Sequence, residues 1–343
     1  MSFQNYESRP TNRNHCGYLP AHALFRQQGG QAKKERIAQT RALLHNYSDP
    51  LYGTWPLPAG VAQLVACPTF QRLRGVNQSG ASKYADPLRT VTRFEHSMGV
   101  YLLLRRLGAA EEEQVAGLLH DVSHTAFSHV VDIVYYSREQ AFHEDLKAEF
   151  LDRPDLRAAL GGLGYKAQDF LSDEPYPLLE QPLPALCADR IDYSLRDAVT
   201  MGEISIPAAR AILADLVVHD GRLAMRTPAL ARQFADLFRE MNDTYWAAQK
   251  ENYLYEMLAR AIEIGLNSRV LDRSDLLADD DTVEAMLRAA GDPRIEALFG
   301  KLVDPPAAEI DAFVPPRPIK QRAIDPLVLL DGTAIAISRL GDR

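Results

Sequence analysis

The chain of 343 residues is 46% hydrophobic and carries 38 Lys/Arg against 46 Asp/Glu, a net charge of −8. That is enough apolar material for one large or two modest cores, and the acidic balance excludes a generally basic nucleic-acid binder. Three cysteines, Cys16, Cys67 and Cys187, lie far apart without a Cys-x-x-Cys pair, which argues against a disulfide scaffold or zinc knuckle and points to a reducing cytoplasm.

In chain order, residues 1–48 read as a basic extension. Between Ser8 and His45, seven Lys/Arg (Arg9, Arg13, Arg26, Lys33, Lys34, Arg36, Arg41) face one acid, Glu35, and a helix is expected near Ala32–Leu44. A solvated arm is the favoured reading, ahead of an oligomer contact or an anion-binding strap. Sparse aromatic interleaving disfavours nucleic acid. The polar start Met1–Tyr6 leads into no signal-peptide core, and no stretch reaches the ~20 apolar residues of a membrane span, so neither export nor a membrane partner is expected.

From residue 49 to about 270 the pattern is helical. Met98, Tyr101, Leu102 and Leu104 recur at helical spacing within Ser97–Leu107, Gly108 suits a helix stop, and Glu111, Glu112 and Glu113 suit the next first turn. These signals predict a helical hairpin. A further helix is expected to start at Asp189. Asp220-Gly221 between apolar residues predicts a β-hairpin, Thr227-Pro228 an N-cap, and Ala229–Gly265 one long helix or two broken pieces. Residues 271–343 read as a helical segment, a Pro-rich extended connection over Asp304–Pro318, and a last hairpin around Asp331-Gly332. The expected class is mainly α, with short β-hairpins and a small C-terminal β/extended element.

His96, the His120-Asp121 doublet and Asp189 read as one ligand set. Two imidazoles and two carboxylates form the mixed N/O environment that suits a hydrolytic divalent metal. The doublet interrupts an apolar segment, and burying it costs several kcal/mol unless something pairs with it. His96 and His120 are 24 positions apart; a straight helix would separate them by roughly 36 Å, so the hairpin is needed to bring them together. His124, four residues past His120, is placed on the same helical face, where a near-neutral imidazole can donate a proton to a leaving oxygen. Arg93 and Arg190, close to ligands in sequence, are assigned to phosphate, and Tyr193 and Asp197, four and eight residues past Asp189, to the metal-facing side of their helix.

Arg93-Phe94-Glu95-His96-Ser97-Met98-Gly99, the run His120–His129, His143-Glu144 and the run Asp189–Asp197 together resemble the HD-domain phosphohydrolases. The resemblance is nearest to the branch with the deoxynucleoside triphosphate triphosphohydrolases, including the animal SAM-and-HD-domain enzyme and bacterial relatives. Phe70–Arg74, Gln78 and Asp275–Leu287 fit the same branch, so the likeness covers about residues 49–300. It implies an HD-domain helical core and a metal-dependent nucleotide phosphohydrolase using Mn, Fe, Mg, Co, Ni or Zn. The leading reaction is release of a deoxynucleoside and tripolyphosphate; the alternatives are a nucleoside monophosphate phosphatase, a catalytically silent nucleotide binder and an HD-fold di-iron oxygenase. A homodimer or homotetramer is implied as well.

The resemblance also implies that His124 is oriented by Asp132 and joined by His143 as the catalytic group. It makes Tyr193 a phosphate or sugar contact, Asp197 a sugar-hydroxyl partner, and Gln78 and Tyr245 substrate contacts. His129 is read as capping a helix end, and Glu95 as a structural acid. Three departures bear on substrate. Arg190 replaces the family's lysine, Ser79 follows Gln78 where Leu is frequent, and Ala247-Ala248 stands where a His-Lys pair would neutralise a triphosphate. Lys250 and the basic arm are the candidates to compensate.

Overall fold

The computed structural model describes residues 46–135, 142–316 and 318–341. The basic extension up to His45 and its expected helix lie outside these residues. The described chain starts with a hairpin where a helical pattern was expected: β1 (Asn46–Asp49) pairs antiparallel with β2 (Gly53–Pro56). Asp49 holds its turn, Oδ1 accepting from the Leu51 and Tyr52 amides at 2.7 and 3.1 Å.

The rest is mainly helical, and mainly α is the class observed. Helices α1 (Ala59–Ala66) and α2 (Pro68–Gln71) lead to α3 (Arg93–Arg106), α4 (Glu111–Leu119), α5 (Val130–Val134), α6 (Phe142–Leu151) and α7 (Pro154–Leu163). There follow α8 (Ala188–Thr200), α9 (Ile206–Asp215), α10 (Pro228–Met241), α11 (Gln249–Asn267), α12 (Asp280–Ala289), α13 (Pro293–Val303) and α14 (Ala307–Ala312). The last lies inside the tract Asp304–Pro318, so that connection is extended only on either side of one short helix.

α3 is the central helix, with 11 of its 14 residues buried. Its start is set by a capping box: Thr92 Oγ1 accepts from the Glu95 amide, and Glu95 Oε2 accepts from the Thr92 amide. This is the structural use of Glu95. Gly108, at φ +74°, stops the helix, and α4 returns antiparallel as the hairpin expected from sequence. The return is tight. A Cβ on Gly117 would stand 2.3 Å from Leu104 Cδ1. α8 packs on α3 as well, so α3, α4 and α8 meet in one place.

The run Ala229–Gly265 is broken into two pieces by a π-helical turn, Asn242–Trp246, between α10 and α11. Both expected hairpins form. β3 (Leu216–His219) and β4 (Arg222–Met225) turn at Asp220-Gly221, and β5 (Leu327–Leu330) and β6 (Thr333–Ala336) turn at Asp331-Gly332, with positive φ at all four turn residues. They join into one sheet, β3-β4-β5-β6, through the parallel pairs Ala224↔Leu327 and Met225↔Val328. The C-terminal segment is thereby tied into the same body as the helical core.

Gly117→Ala is expected to destabilise the fold by about 1–3 kcal/mol, since overpacking at this crossing has no room to relax. A lower midpoint in urea unfolding with an unchanged slope is the expected reading.

Candidate metal centre

His96 lies in the first turn of α3, His120 directly after α4, Asp121 in the turn beyond it, and Asp189 in the first turn of α8. The fold gathers them. His96 Nε2 is 3.2 Å from His120 Nε2 and 2.9 Å from Asp189 Oδ1, and His120 Nε2 is 3.5 Å from that same oxygen. The Asp121 carboxylate completes the group, 3.7 Å from His96 Nε2 and 3.5 Å from His120 Nε2.

The outer hydrogen bonds decide how these rings face. His120 Nδ1 donates to the Gly117 carbonyl at 2.8 Å, and His96 Nδ1 donates to Asp192 Oδ1 at 2.8 Å. Both Nε2 atoms are thus turned inward, the arrangement a ligating histidine needs. Asp192 is itself fixed by Arg196, at 2.9 and 2.8 Å, and by the Tyr52 hydroxyl at 2.8 Å, while Arg196 also donates to Asp49 at 2.9 Å. Gly99 on α3 makes room for this buried pair: a Cβ there would meet Asp192 Oδ2 at 2.0 Å and Arg196 Nη2 at 2.1 Å.

The electrostatics favour added positive charge. Burial opposes the imidazolium at His96 and His120, yet the adjoining carboxylates outweigh it. His96 is raised by its bonds to Asp189 and Asp192, and His120 rises to about 10 beside Asp121 and Asp189. Burial likewise opposes ionisation of Asp121, but the Arg93 guanidinium, 2.7 Å away, and the neighbouring histidines hold it well below the carboxylate range. Inward-facing lone pairs, two carboxylates and a cation-seeking field fit a divalent metal, and the chemistry of the donor set suits one that does hydrolysis.

The cluster opens into a cavity of about 420 Å³. Gln78, Arg93, His124, His143, Arg190, Tyr193 and Asp197 line it together with the four ligand candidates. The helical-face argument for His124 is corrected, because α4 ends at Leu119 and residues 120–123 form turns. His124 still reaches the cluster, with Nε2 3.2 Å from Asp121 Oδ1, and stacks on His143 with centroids 4.0 Å apart. Burial, then the Arg93 and His143 charges, hold it well below the ordinary imidazole value, so it is neutral here.

Asp132 does not orient His124. Its carboxylate accepts from His129 Nδ1 at 2.9 Å and from the Phe142 amide at 2.8 Å, and it does not line the cavity. The reason is the turn before α5, where Phe127 and Ser128 both take positive φ, 61° and 53°. Such strain persists only when neighbours over-determine it. Here Asp280 accepts from the Phe127 amide at 2.7 Å, and Ser128 Oγ accepts from Arg93 and donates to the Asn77 carbonyl. His129 is the N-cap residue of α5, as expected, with Nδ1 bonded to Asp132 in the first turn at 2.9 Å, and the turn also brings its ring to the cavity wall. His124, His129 and His143 form a second histidine cluster, and burial lowers His129 to about 4.

Arg190 reaches the cavity wall, but its Nη atoms donate to the Ala185 and Gln181 carbonyls, to Cys187 Sγ and to Glu180. It braces the loop before α8. Tyr245 lies outside the cavity, its hydroxyl bonded to Glu203 and its ring against Arg89. The π-helical turn takes the chain out of α-helical phase, and Trp246 faces inward instead, donating to Asp197 Oδ2 at 3.0 Å. Sequence reasoning missed Asp192, Arg196 and Gly99 behind the cluster, and also Glu251, Tyr255, Lys320 and Arg322 on the cavity wall. An Asp–Arg pair at i, i+4, such as Asp192 and Arg196, was the available signal.

Residues 93–197 match the HD domain family. Over 300 residues the chain is 36% identical to the uncharacterized protein YdhJ of Bacillus subtilis, covering 86% of this chain and 92% of that one. It is 33% identical to the metal-dependent phosphohydrolase cns2 of Cordyceps militaris, covering 84% and 88%. The deoxynucleoside triphosphate triphosphohydrolase SAMHD1 of Homo sapiens matches at 38% over 100 residues, 25% of this chain and 16% of that one. The fold resembles that of a phosphohydrolase from Bacteroides thetaiotaomicron, with a TM-score of 0.53, 23% identity and 76% of each chain covered. The chain belongs to the HD-domain metal-dependent phosphohydrolases. It is a hydrolase that uses a divalent metal ion.

Replacing the outer carboxylate tests the arrangement. Asp192→Asn is expected to weaken metal affinity about 10–100-fold without removing a ligand, read by metal content after equilibration against a graded chelator.

Proposed function

We propose that the protein hydrolyses the phosphate esters of nucleotides, with a deoxynucleoside triphosphate as leading substrate, and that His96, His120, Asp121 and Asp189 hold its metal. The observation that carries this reading is the wall of the metal cavity. Gln78 Oε1 is buried there with no hydrogen-bond partner among the described residues, beside the aromatic rings of Tyr193, Trp246 and Tyr255. An orphaned acceptor and the edge-to-face pair Tyr193 and Trp246 next to a phosphate-seeking cluster suit a sugar and base. The partial likeness to SAMHD1 supports the same choice.

A divalent ion in this site supplies Lewis-acid polarisation of a phosphoryl oxygen. The protein's own groups do the rest. Arg93 neutralises Asp121 and holds it in place, and Ser128 fixes Arg93 in turn. His124, beside Asp121, is placed to hand a proton to the leaving oxygen. It is neutral without substrate, and the approach of a phosphate's negative charge favours its protonated form. Tyr193 and Asp197 bound the sugar side, with Asp197 held by Trp246.

The second reading, a nucleoside monophosphate phosphatase, is favoured by Ala247 and Ala248 in place of a cationic pair and by the exposed position of Lys250 outside the cavity. A homodimer or homotetramer in the cytoplasm belongs to the proposal. Cys67 and Cys187 are free and buried, and no helix among the described residues is long and apolar enough to cross a membrane.

Purified protein incubated with Mn²⁺, Mg²⁺ or Co²⁺ and a nucleotide panel is expected to release tripolyphosphate from deoxynucleoside triphosphates. Orthophosphate from monophosphates alone selects the second reading, and no turnover with any metal rejects both. In the same assay Asp121→Ala is expected to lose metal and turnover together. His124→Ala is expected to keep the metal and lose rate by about 10²–10⁴-fold, the usual worth of a general acid; metal loss in both variants would make His124 a ligand instead.

A further inference from the structure

The cavity has a far end that the metal chemistry does not use. Asp197, on α8, feels both sides: its foremost charged neighbours are Arg89, away from the metal, and His96 and Arg93, at the metal cluster. For Glu251, in the first turn of α11, they are Arg89, Asp197 and Asp86, none of them a metal-ligand candidate. Glu251 therefore lies beyond Asp197. Along the cavity the order is metal cluster, Asp197, then Glu251 with Arg89, the order in which a nucleotide presents phosphate, sugar and base.

Arg89 is built into the wall, with only 7% of its surface exposed, and it lines the cavity. The Tyr245 ring backs its guanidinium at 5.2 Å. Its charge is balanced by Glu251 at 3.4 Å and Asp86 at 3.7 Å, both longer than the about 3.2 Å of a formed N–H···O bond. Nε is buried with no hydrogen-bond partner among the described residues, a costly state for a donor.

Glu251 is its complement. Oε2 accepts from the Ser82 hydroxyl and faces Arg89, which fixes the carboxylate while Oε1 carries no hydrogen bond among the described residues. Burial pushes Glu251 up to about 6, so at neutral pH it is an acceptor. Tyr255, one turn further along α11, and Trp246 line the same cavity and offer flat apolar faces.

A cationic donor and an anionic acceptor side by side suit a neutral group with both kinds of partner on one edge. Glu251 and Asp197 repel a phosphate here. Guanine alone among the bases sets two adjacent N–H donors, N1–H and the N2 amino group, beside a carbonyl, O6. The carboxylate matches the donors, and the guanidinium matches O6. Adenine and cytosine in that register turn a ring lone pair on the carboxylate.

We propose that Glu251 and Arg89 read the base of the nucleotide and select guanine. The inference rests on the nucleotide phosphohydrolase reading above, for either number of phosphates, and names the base.

The test measures kcat/KM of the metal-loaded full-length protein for the guanine, hypoxanthine and adenine forms of one nucleotide. Guanine is expected to exceed adenine at least about tenfold, with hypoxanthine, which lacks the N2 amino group, in between. Glu251→Gln keeps the side chain's shape and is expected to lower the guanine value about 10–100-fold while leaving adenine unchanged. Equal turnover of guanine and adenine, or equal losses for both in the variant, overturns the assignment. If the unmodified protein turns over no nucleotide, the broader reading fails by itself. Calorimetric titration with guanosine and adenosine then decides the base site: guanosine binding that exceeds adenosine binding and is lost in Glu251→Gln upholds it, and equal or absent binding overturns it.

Discussion

Two imidazole nitrogens held 3.2 Å apart inside a helical core are the constraint on which the rest depends. Left alone, two inward lone pairs beside two carboxylates, with Arg93 on Asp121 alone, leave buried negative charge that a fold tolerates only with a cation in place or with the protons that take its place. The rings could relieve this by rotating, but their outer nitrogens are tied to the Gly117 carbonyl and to Asp192. The orientation of the His96 ring thus depends on Asp192, which Arg196 and Tyr52 grip, and α3 has a glycine at position 99 where that grip passes. Capping, crossing and ion pairing all serve one orientation of two rings.

The second histidine cluster depends on the same logic one layer out. Arg93 bridges the layers, with one nitrogen on Asp121 and another on Ser128, whose left-handed backbone redirects the chain into α5. Had the helix continued past Leu119, His124 would have stayed one turn above His120. The turn instead places it against the far oxygen of Asp121 and against His143. One carboxylate, Asp121, therefore couples the His96–His120–Asp189 group to His124.

The helical hairpin was legible in sequence because its signals are local: apolar spacing in α3, a glycine forced to positive φ at 108, and acids at the start of α4. The Asp-Gly hairpins were legible for the same reason, though not their union into one sheet, since nothing local specifies which strands pair in parallel. The gathering of His96, His120, Asp121 and Asp189 was legible through their residue types. What was hidden is what depends on contacts far apart in the chain. Asp192 and Arg196 look like any solvent-facing i, i+4 pair until Asp49 and Tyr52 are packed against them. The π-helical turn leaves no composition mark, so Tyr245 was read as inward where Trp246 is. Likewise β1 and β2 are four residues each, too short for a periodic signal.

Charge balance explains why substrate binding and metal binding belong together here. Seven carboxylates and five Lys/Arg side chains line the cavity, so without a cation an incoming polyanion meets a surface of its own sign. A dication removes that excess, and in a low-dielectric cavity the difference between net repulsion and neutrality outweighs any single hydrogen bond. Arg93 on α3 and Arg190 and Arg196 on α8 do not supply that cation, because they are held by Asp121, by the loop before α8 and by Asp192.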